Sequence, residues 1–200
     1  LKLFAPDFAL IELHKYKEEL SKKSGIDFNS AVESLKEKVI FIDKSEYSKL
    51  IKEFSSKKTA ELNDQLYYAN SLANSYFKQS LKQKGVGEKA WAFLKKRGVD
   101  LESIEKFSIG YAPDEWDGFL NYAKSKGVEP QILLTAGLIV EKSDGKGFVD
   151  RFRDRLMFPI FNLSGKIMGF GGRILNGKDE AKYINSPETA VYKKSMVLYG

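Results

Sequence analysis

The 200-residue sequence contains no cysteine and a single histidine, His14. The lack of cysteine excludes a disulfide framework and any zinc site built on thiolates. One histidine is too few for a histidine-rich metal site, and we expect His14, on a predicted helix, to be an ordinary surface or packing residue. The sequence therefore predicts no metal bound through cysteine or histidine.

Long hydrophobic runs are missing too. The longest nearly apolar stretch, residues 132–140, is interrupted by Thr135 and Gly137 and is far shorter than the roughly 20 residues that cross a bilayer. Nothing at the amino terminus resembles a signal peptide. We therefore expect a cytoplasmic protein that does not enter the membrane.

The residues that are present suffice for a packed core, since 42% are apolar and 13% are aromatic. A chain of this length holds one or two domains. It begins with Leu1 rather than Met and stops at Gly200, inside a motif described below. We therefore expect it to be a fragment of a longer protein.

Positive charge is concentrated in the last quarter of the chain. Residues 146–200 hold ten Lys or Arg against five Asp or Glu, a net +5, whereas residues 1–145 hold twenty-three against twenty-two, a net +1. Aromatic residues lie among these cations, namely Phe158, Phe161, Phe170, Tyr183 and Tyr192. Such a mixture suits a phosphate backbone with unstacked bases. The alternative is a solvated strand face, with Phe158 and Phe170 in the core.

The basic segment reads as a β-hairpin. Arg151, Arg153 and Arg155 recur at period two, which would place all three on one face of a strand. That strand would run on through residues 156–161, turn at 162–165 and return as 166–170. Pro159 requires an edge strand or a point without a paired N–H.

A glycine-rich run, Gly169 to Gly172, precedes Arg173 and is read as a turn. Missing side chains there would let a ligand approach, and the Arg173 fork with nearby backbone N–H groups would hold a phosphate. A polar loop with Lys182, Tyr183 and Lys194 follows. A nucleotide-hydrolysing enzyme is a weak alternative, because the run lacks the P-loop lysine spacing.

The rest of the chain reads as mainly helical. Helices are predicted at residues 7–24, closed by Gly25, and at 29–38 and 45–54, with Ser45 as N-cap. A helix at 61–84 has an apolar stripe formed by Leu62, Leu66, Ala69, Ala73, Tyr76, Phe77 and Leu81. Further helices are predicted at 88–97, at 100–107 with Asp100 as N-cap, at 114–126 and at 130–137. A loop is predicted at 109–113, and paired strands at 138–142 and 148–155. The fold class is therefore α+β: a helical amino-terminal segment followed by a mixed helix and sheet subdomain with a basic β-hairpin.

Several of these segments resemble the bacterial DNA primase family (DnaG type), in the part of its RNA polymerase core that precedes the TOPRIM fold. The segments are RFRDRLMFPI, GKIMGFGGR, KYINSPET and YKKSMVLYG, with KKRGVDLESIEKFSIGYAPDEWD upstream. They occur in family order over residues 76–200. The segment LSKKSGIDF resembles the connector after the family's zinc-binding module. The resemblance thus implies a connector at residues 1–60 and a core subdomain at 61–200.

The resemblance also implies residue roles. It places nucleic-acid-contacting positions on Arg97, Arg173, Lys182, Tyr183 and Lys194, with Arg151, Arg153 and Arg155 on the supporting strand. For Arg97 a helix carboxyl end, which favours a cation, is the structural alternative. Ser195 stands where the family usually has glycine, which leaves the loop geometry near Lys194 open.

The implied function is primer synthesis during replication. The parent enzyme would make short RNA primers on single-stranded DNA, with nucleoside triphosphates as substrates and the replicative helicase as a partner of other parts. Mg²⁺ would be bound by the TOPRIM fold and Zn²⁺ by the zinc module, neither within this chain. This chain would grip the template and the RNA–DNA hybrid through the backbone.

The arrangement of carboxylates decides whether this chain could catalyse the reaction itself. Phosphodiester formation needs Mg²⁺ held by clustered acids. The acids near the basic segment alternate with cations and are expected to be ion-pair partners; they are Asp150, Asp154, Asp179, Glu180 and Glu188. No catalytic residue is therefore expected in this chain. The alternative function is a free-standing module that binds single-stranded nucleic acid without catalysis.

Overall fold

The structure is a computed structural model that describes residues 3–6, 8–25, 27–175 and 181–196. Contacts within the chain divide it into two compact units, Leu1–Ala60 and Glu61–Gly200. Within the described residues, no helix combines the length and the hydrophobicity needed to cross a membrane.

The first unit combines helices with a small sheet. Its elements are β1 (Leu3–Pro6), α1 (Phe8–Lys15), α2 (Lys17–Ser24), α3 (Phe28–Lys38), β2 (Val39–Ile42) and the beginning of α4 (Lys44–Lys82). Strands β1 and β2 pair in parallel. The predicted helix at 7–24 is broken at Tyr16, and Gly25, with φ of 68°, ends α2 as predicted. Asp27 caps α3 by accepting the Ser30 N–H at 2.9 Å.

Helix α4 is one continuous helix of 39 residues, so the prediction of separate helices at 45–54 and 61–84 is wrong. The intervening residues, SSKKTA, contain neither Gly nor Pro, so nothing there ends a helix. The predicted N-cap is wrong as well. Asp43, not Ser45, caps the helix, since its Oδ1 accepts the N–H groups of Ser45 at 2.8 Å and Glu46 at 3.1 Å.

The second unit adds helices and two sheets. The helices after α4 are α5 (Glu88–Lys96), α6 (Leu101–Lys106), α7 (Gly118–Ser125) and α8 (Pro130–Thr135), and Lys194–Met196 form a 3₁₀ turn. The strands are β3 (Gly110–Ala112), β4 (Ile139–Glu141), β5 (Phe148–Asp150), β6 (Arg155–Phe161), β7 (Ile167–Ile174) and β8 (Tyr183–Asn185). Asp100 caps α6, as predicted, by accepting the Ser103 N–H at 2.7 Å.

The larger sheet has the antiparallel order β3-β6-β7-β8, and β4 pairs with β5 separately. The predicted loop at 109–113 is therefore wrong, because its centre is β3. Gly110 at the start of β3 lies opposite Met157, so Pro159 lies beyond the end of β3. On the β3 side, β6 is therefore unpaired at Pro159, a position of the kind at which a strand tolerates proline.

The apolar stripe of α4 forms the core of the second unit. Leu66, Ala69, Ala73 and Phe77 are buried with residues from α7, α8 and β7, and Leu81 is buried with residues from α5 and α6. The buried Asn70 side chain donates to the Ile167 carbonyl at 3.1 Å and so ties α4 to β7. The predicted α+β class and the predicted stripe are confirmed.

Candidate nucleic-acid interface

The predicted β-hairpin is confirmed. Strands β6 and β7 pair in antiparallel register from Arg155 opposite Ile174 to Phe161 opposite Ile167. The Asn162 side chain accepts the N–H groups of Ser164 at 3.0 Å and Lys166 at 2.8 Å, which closes the turn.

The predicted cationic strand face is wrong. Strand β5 ends at Asp150 and β6 begins at Arg155, and residues 151–154 lie in neither strand. Asp154 has a φ of 47°, in the left-handed region, so the chain changes direction there. Side chains alternate between faces only along a continuous strand, and the three arginines therefore share no face.

Each of these arginines has its own environment. Arg155 is 3% exposed and donates to the Ala181 carbonyl at 2.9 Å, so it holds the backbone that leads into β8. Arg153 lies over the exposed Trp116 ring, with its Cζ 4.2 Å from the ring centroid, and donates to the Asp150 carbonyl at 2.5 Å. Arg151 is half-buried, and burial lowers its pKa. Its Nη2 makes one long contact, 3.5 Å, to the Asn185 carbonyl.

The glycine-rich run is part of strand β7, so the prediction that it forms a turn is wrong. Strand β7 is paired on one side with β6 and on the other with β8, which occupies its backbone groups. A Cβ on Gly169 would lie 2.9 Å from Cβ of Ser186, and one on Gly172 would lie 2.9 Å from Cδ1 of Phe152. These glycines therefore let neighbouring segments of the chain pack closely.

Four of the predicted residues, Arg97, Arg173, Lys182 and Tyr183, are connected through ring contacts, two of them at an additional aromatic residue, Phe93. The Cζ atoms of Arg97 and Arg173 lie 5.3 and 4.7 Å from the Phe93 ring centroid. Arg173 Cζ also lies 5.6 Å from the Tyr183 ring centroid, and Lys182 Nζ lies 5.9 Å from the same centroid. We call these five residues the arginine–aromatic cluster. It joins the end of α5 to β7 and β8, which follow about seventy residues or more later in the sequence.

The cations of this cluster are held by rings. Within the described part of the chain, no ion pair involves Arg97, Arg173 or Lys182. Arg97, Lys182 and Tyr183 are exposed and Arg173 is half-buried, with a buried Nε that has no hydrogen-bond partner. Leaving the buried Nε of Arg173 without a partner costs on the order of 1–3 kcal/mol. The contact of a guanidinium with a ring contributes about 0.5–1 kcal/mol, which offsets part of this cost and does not neutralise the charge. The cluster therefore keeps its positive charge available to an anion.

Lys194 is not part of the ring contacts described above. It is exposed at the start of the 3₁₀ turn, and its backbone N–H donates to Glu188 Oε1 at 3.0 Å. Its side chain stays a predicted contact to nucleic acid.

The nearby carboxylates have structural partners. Asp154 accepts from Lys89 Nζ at 2.6 Å and from the Tyr111 hydroxyl at 3.0 Å, which confirms it as an ion-pair partner. For Asp150 and Glu188 that prediction is wrong, since both accept backbone N–H groups. Asp150 caps α7 by accepting the N–H groups of residues 119 and 120, and burial raises its pKa to about 6.

Two of the predicted ion-pair partners, Asp179 and Glu180, lie outside the described residues. Among the described residues, no three His, Asp or Glu side chains form a group that could hold a metal ion.

Sequence reasoning missed two aromatic residues, Phe93 and Trp116. Phe93 precedes Arg97 by four residues on a predicted helix, a spacing that places both on one face. That signal was available in the sequence. Trp116 is 66% exposed and contacts Arg153, and no local pattern indicated this pair.

Comparison with known proteins gives a consistent set of similarities. Residues 76–200 match the family described as the DNA primase catalytic core, N-terminal domain. A DNA primase of Clostridium acetobutylicum is 40% identical over 180 residues, which cover 90% of this chain and 28% of the relative. A DNA primase of Deinococcus radiodurans is 44% identical over 135 residues, 68% of this chain and 23% of the relative. The chain thus spans about a quarter of the length of these relatives.

Solved structures show the same likeness. One is a DnaG primase catalytic domain bound to single-stranded DNA, with a TM-score of 0.60 and 42% identity, covering 68% of this chain and 41% of that chain. Another is the RNA polymerase domain of Mycobacterium tuberculosis primase DnaG with a double-stranded DNA oligomer that has a 6-nucleotide overhang. Its TM-score is 0.61 and its identity 38%, and the match covers 66% of this chain and 41% of that chain.

Proposed function

This chain belongs to the DNA primase catalytic core family, whose N-terminal domain it carries at residues 76–200, and from that premise we propose that it is part of an enzyme that synthesises short RNA primers on single-stranded DNA. Its partners in this role are the DNA template, the RNA–DNA hybrid and nucleoside triphosphates. The arginine–aromatic cluster binds the phosphates of the template.

The observation that carries this proposal is the way the cluster holds its cations. A guanidinium paired with a carboxylate has its charge largely neutralised, whereas one held by an aromatic ring keeps its charge and its donors. Arg97 and Arg173 are held by Phe93, and Tyr183 presents an exposed ring beside them. Adjacent cations and an exposed aromatic ring suit a single strand, whose phosphates are neutralised while a base stacks.

We propose that the chain contributes binding rather than metal chemistry. Phosphodiester formation uses Mg²⁺ held by carboxylates free to coordinate it. Asp150 is engaged as a helix cap and Asp154 by Lys89 and Tyr111, so neither fits a catalytic metal ion. Because no group of acids among the described residues could hold a metal ion, we propose that the Mg²⁺ ligands of the enzyme come from another part of it. The 200-residue chain with template, nucleoside triphosphates and Mg²⁺ should make no RNA.

A salt titration of single-stranded DNA binding tests the proposed role. Four contacts, through Arg97, Arg173, Lys182 and Lys194, give a slope of log K against log salt of about −3, because each contact on a single strand contributes about −0.7. Affinity should then fall about fifty-fold between about 50 and 200 mM salt. The double variant Arg97→Ala, Arg173→Ala should have a slope of about −1.4. An unchanged slope in the double variant, or template-dependent RNA synthesis by the chain alone, would contradict the proposal.

A further inference from the structure

Phe93 lies at the boundary between the core and the arginine–aromatic cluster. It is half-buried in the middle of α5, and it packs against the buried group that includes Leu81, Leu94 and Ile104. Packing of this kind restricts the side chain to one orientation. The Phe93 ring is therefore a fixed surface, and it meets both arginines.

The two arginines reach this ring from different directions in the chain. Arg97 follows the last turn of α5, one helical turn after Phe93, whereas Arg173 comes from strand β7. Their guanidinium carbons lie 5.3 and 4.7 Å from the same ring centroid. Two like charges that share one ring repel each other, and the attraction of each to the π system offsets this repulsion.

We infer that Phe93 is a positioning residue for phosphate binding: its ring holds the guanidinium groups of Arg97 and Arg173 so that both meet the phosphates of one nucleic-acid strand. This inference rests on the proposed function of the cluster. An arginine free in solvent loses rotamer freedom when it binds, and an arginine already held by a ring loses less. Phe93 contributes affinity in this way without touching the nucleic acid.

Two substitutions separate the ring from its hydrophobic volume. Phe93→Leu keeps an apolar side chain against the core but removes the π system, whereas Phe93→Tyr keeps the ring. For the 200-residue chain binding single-stranded DNA, Phe93→Leu should lower affinity about ten-fold, since two side chains must now be ordered on binding. The salt slope should be retained, because both arginines still reach phosphates in the complex. Phe93→Tyr should stay within about two-fold of the unsubstituted chain.

A double-mutant cycle distinguishes positioning from general support of the fold. In a chain that already carries Arg97→Ala and Arg173→Ala, Phe93→Leu should change affinity by about two-fold or less, because the side chains that it positions are gone. Thermal unfolding of every variant identifies loss of the fold, and Phe93→Met is the substitute if Phe93→Leu does not fold.

The outcomes that overturn the inference differ from those that overturn the proposed function. An equal loss of affinity from Phe93→Leu in both backgrounds would make Phe93 a structural residue only. No loss in the unsubstituted background, while the arginine variants do lose affinity, would refute the positioning role and leave the proposed function intact. No effect of the arginine substitutions themselves would refute both.

Discussion

The buried Arg155 and the two arginines of the arginine–aromatic cluster lie in opposite surroundings. Arg155, in the segment 151–155, is buried and donates to the backbone carbonyl groups of Gly172 in β7 and Ala181 just before β8. Arg97 and Arg173, in the arginine–aromatic cluster, lie on the Phe93 ring. Within the described residues, neither of them has a carboxylate partner.

The difference shows that the partner of a guanidinium, rather than its position in a basic segment, indicates its role. Backbone carbonyls fix Arg155 in the fold, because the buried guanidinium would lose these hydrogen bonds if it moved away. Aromatic rings hold Arg97 and Arg173 without neutralising them, so a phosphate that binds there would be attracted by the full charge of both guanidinium groups. The first arrangement stabilises the fold, and the second is suited to binding.

The largest expected effect is on the stability of the sheet. Arg155→Ala removes donors from the carbonyl groups of Gly172 and Ala181 and leaves a cavity, so the free energy of unfolding should fall by about 3 kcal/mol. Arg153→Ala, which removes a ring contact and one part-buried hydrogen bond to the Asp150 carbonyl, should cost less, about 1–2 kcal/mol. Urea denaturation of both variants measures the difference. Equal losses would remove the distinction between the two environments.

Next in size is the effect of the Tyr183 ring on DNA affinity. Tyr183→Ala removes a ring that is 59% exposed, and if a base stacks on it affinity should fall about ten-fold with the salt slope preserved. Tyr68→Ala, which removes an exposed tyrosine of α4, is the matched control and should leave affinity unchanged. If Tyr183→Ala acts mainly by lowering the melting temperature, the ring is structural and the stacking role is wrong.

A smaller effect is expected for single phosphate contacts. Arg173→Ala should shallow the salt slope by about 0.7 because one phosphate contact is lost, and Lys182→Ala should do the same. Lys22→Ala, an exposed cation of α2 in the first unit, should leave the slope unchanged. DNA titrations over a range of salt concentrations measure these slopes. If Lys22→Ala changed the slope as much as Arg173→Ala, the first unit would take part in binding and the proposed binding surface would be wrong.

The smallest effect concerns Asp150, the last residue of β5, which directly precedes the segment 151–155. Burial raises its pKa to about 6, so the protonated form is favoured in the folded state. This contribution to stability is fully present below the unfolded-state pKa of 3.8 and is lost as the pH rises through about 6.

The variant Asp150→Asn has no carboxyl group to titrate at this position, so comparison with it isolates the contribution of the Asp150 carboxyl group. Relative to Asp150→Asn, the unsubstituted chain should lose about 1 kcal/mol of unfolding free energy between about pH 5 and 7. Urea denaturation across this pH range measures the difference between the two chains. A constant difference would show that the Asp150 carboxylate does not titrate in this window.

Local patterns in the sequence predicted the elements whose cause is local. The stripe from Leu66 to Leu81 fixes the buried face of α4, because helical periodicity needs no information from elsewhere in the chain. The turn at Asn162 and the caps at Gly25 and Asp100 were predicted for the same reason. The resemblance to primases, carried by ordered motifs, identified the family.

Tertiary structure alone decided where the charges and glycines act. The period-two arginines are interrupted by the left-handed backbone of Asp154, which is stabilised by Lys89 and Tyr111 from other elements. The sequence indicated a turn at Gly172, whereas in the fold the close packing of Phe152 leaves no room for a side chain there.

In the arginine–aromatic cluster, too, the sequence determined one part and the tertiary structure the other. The sequence by itself determined that Arg97 and Arg173 are present and that Phe93 shares a helix face with Arg97. Only the fold brings Arg173 to that ring, because sheet pairing places β7 beside a helix that ends more than seventy residues earlier in the chain.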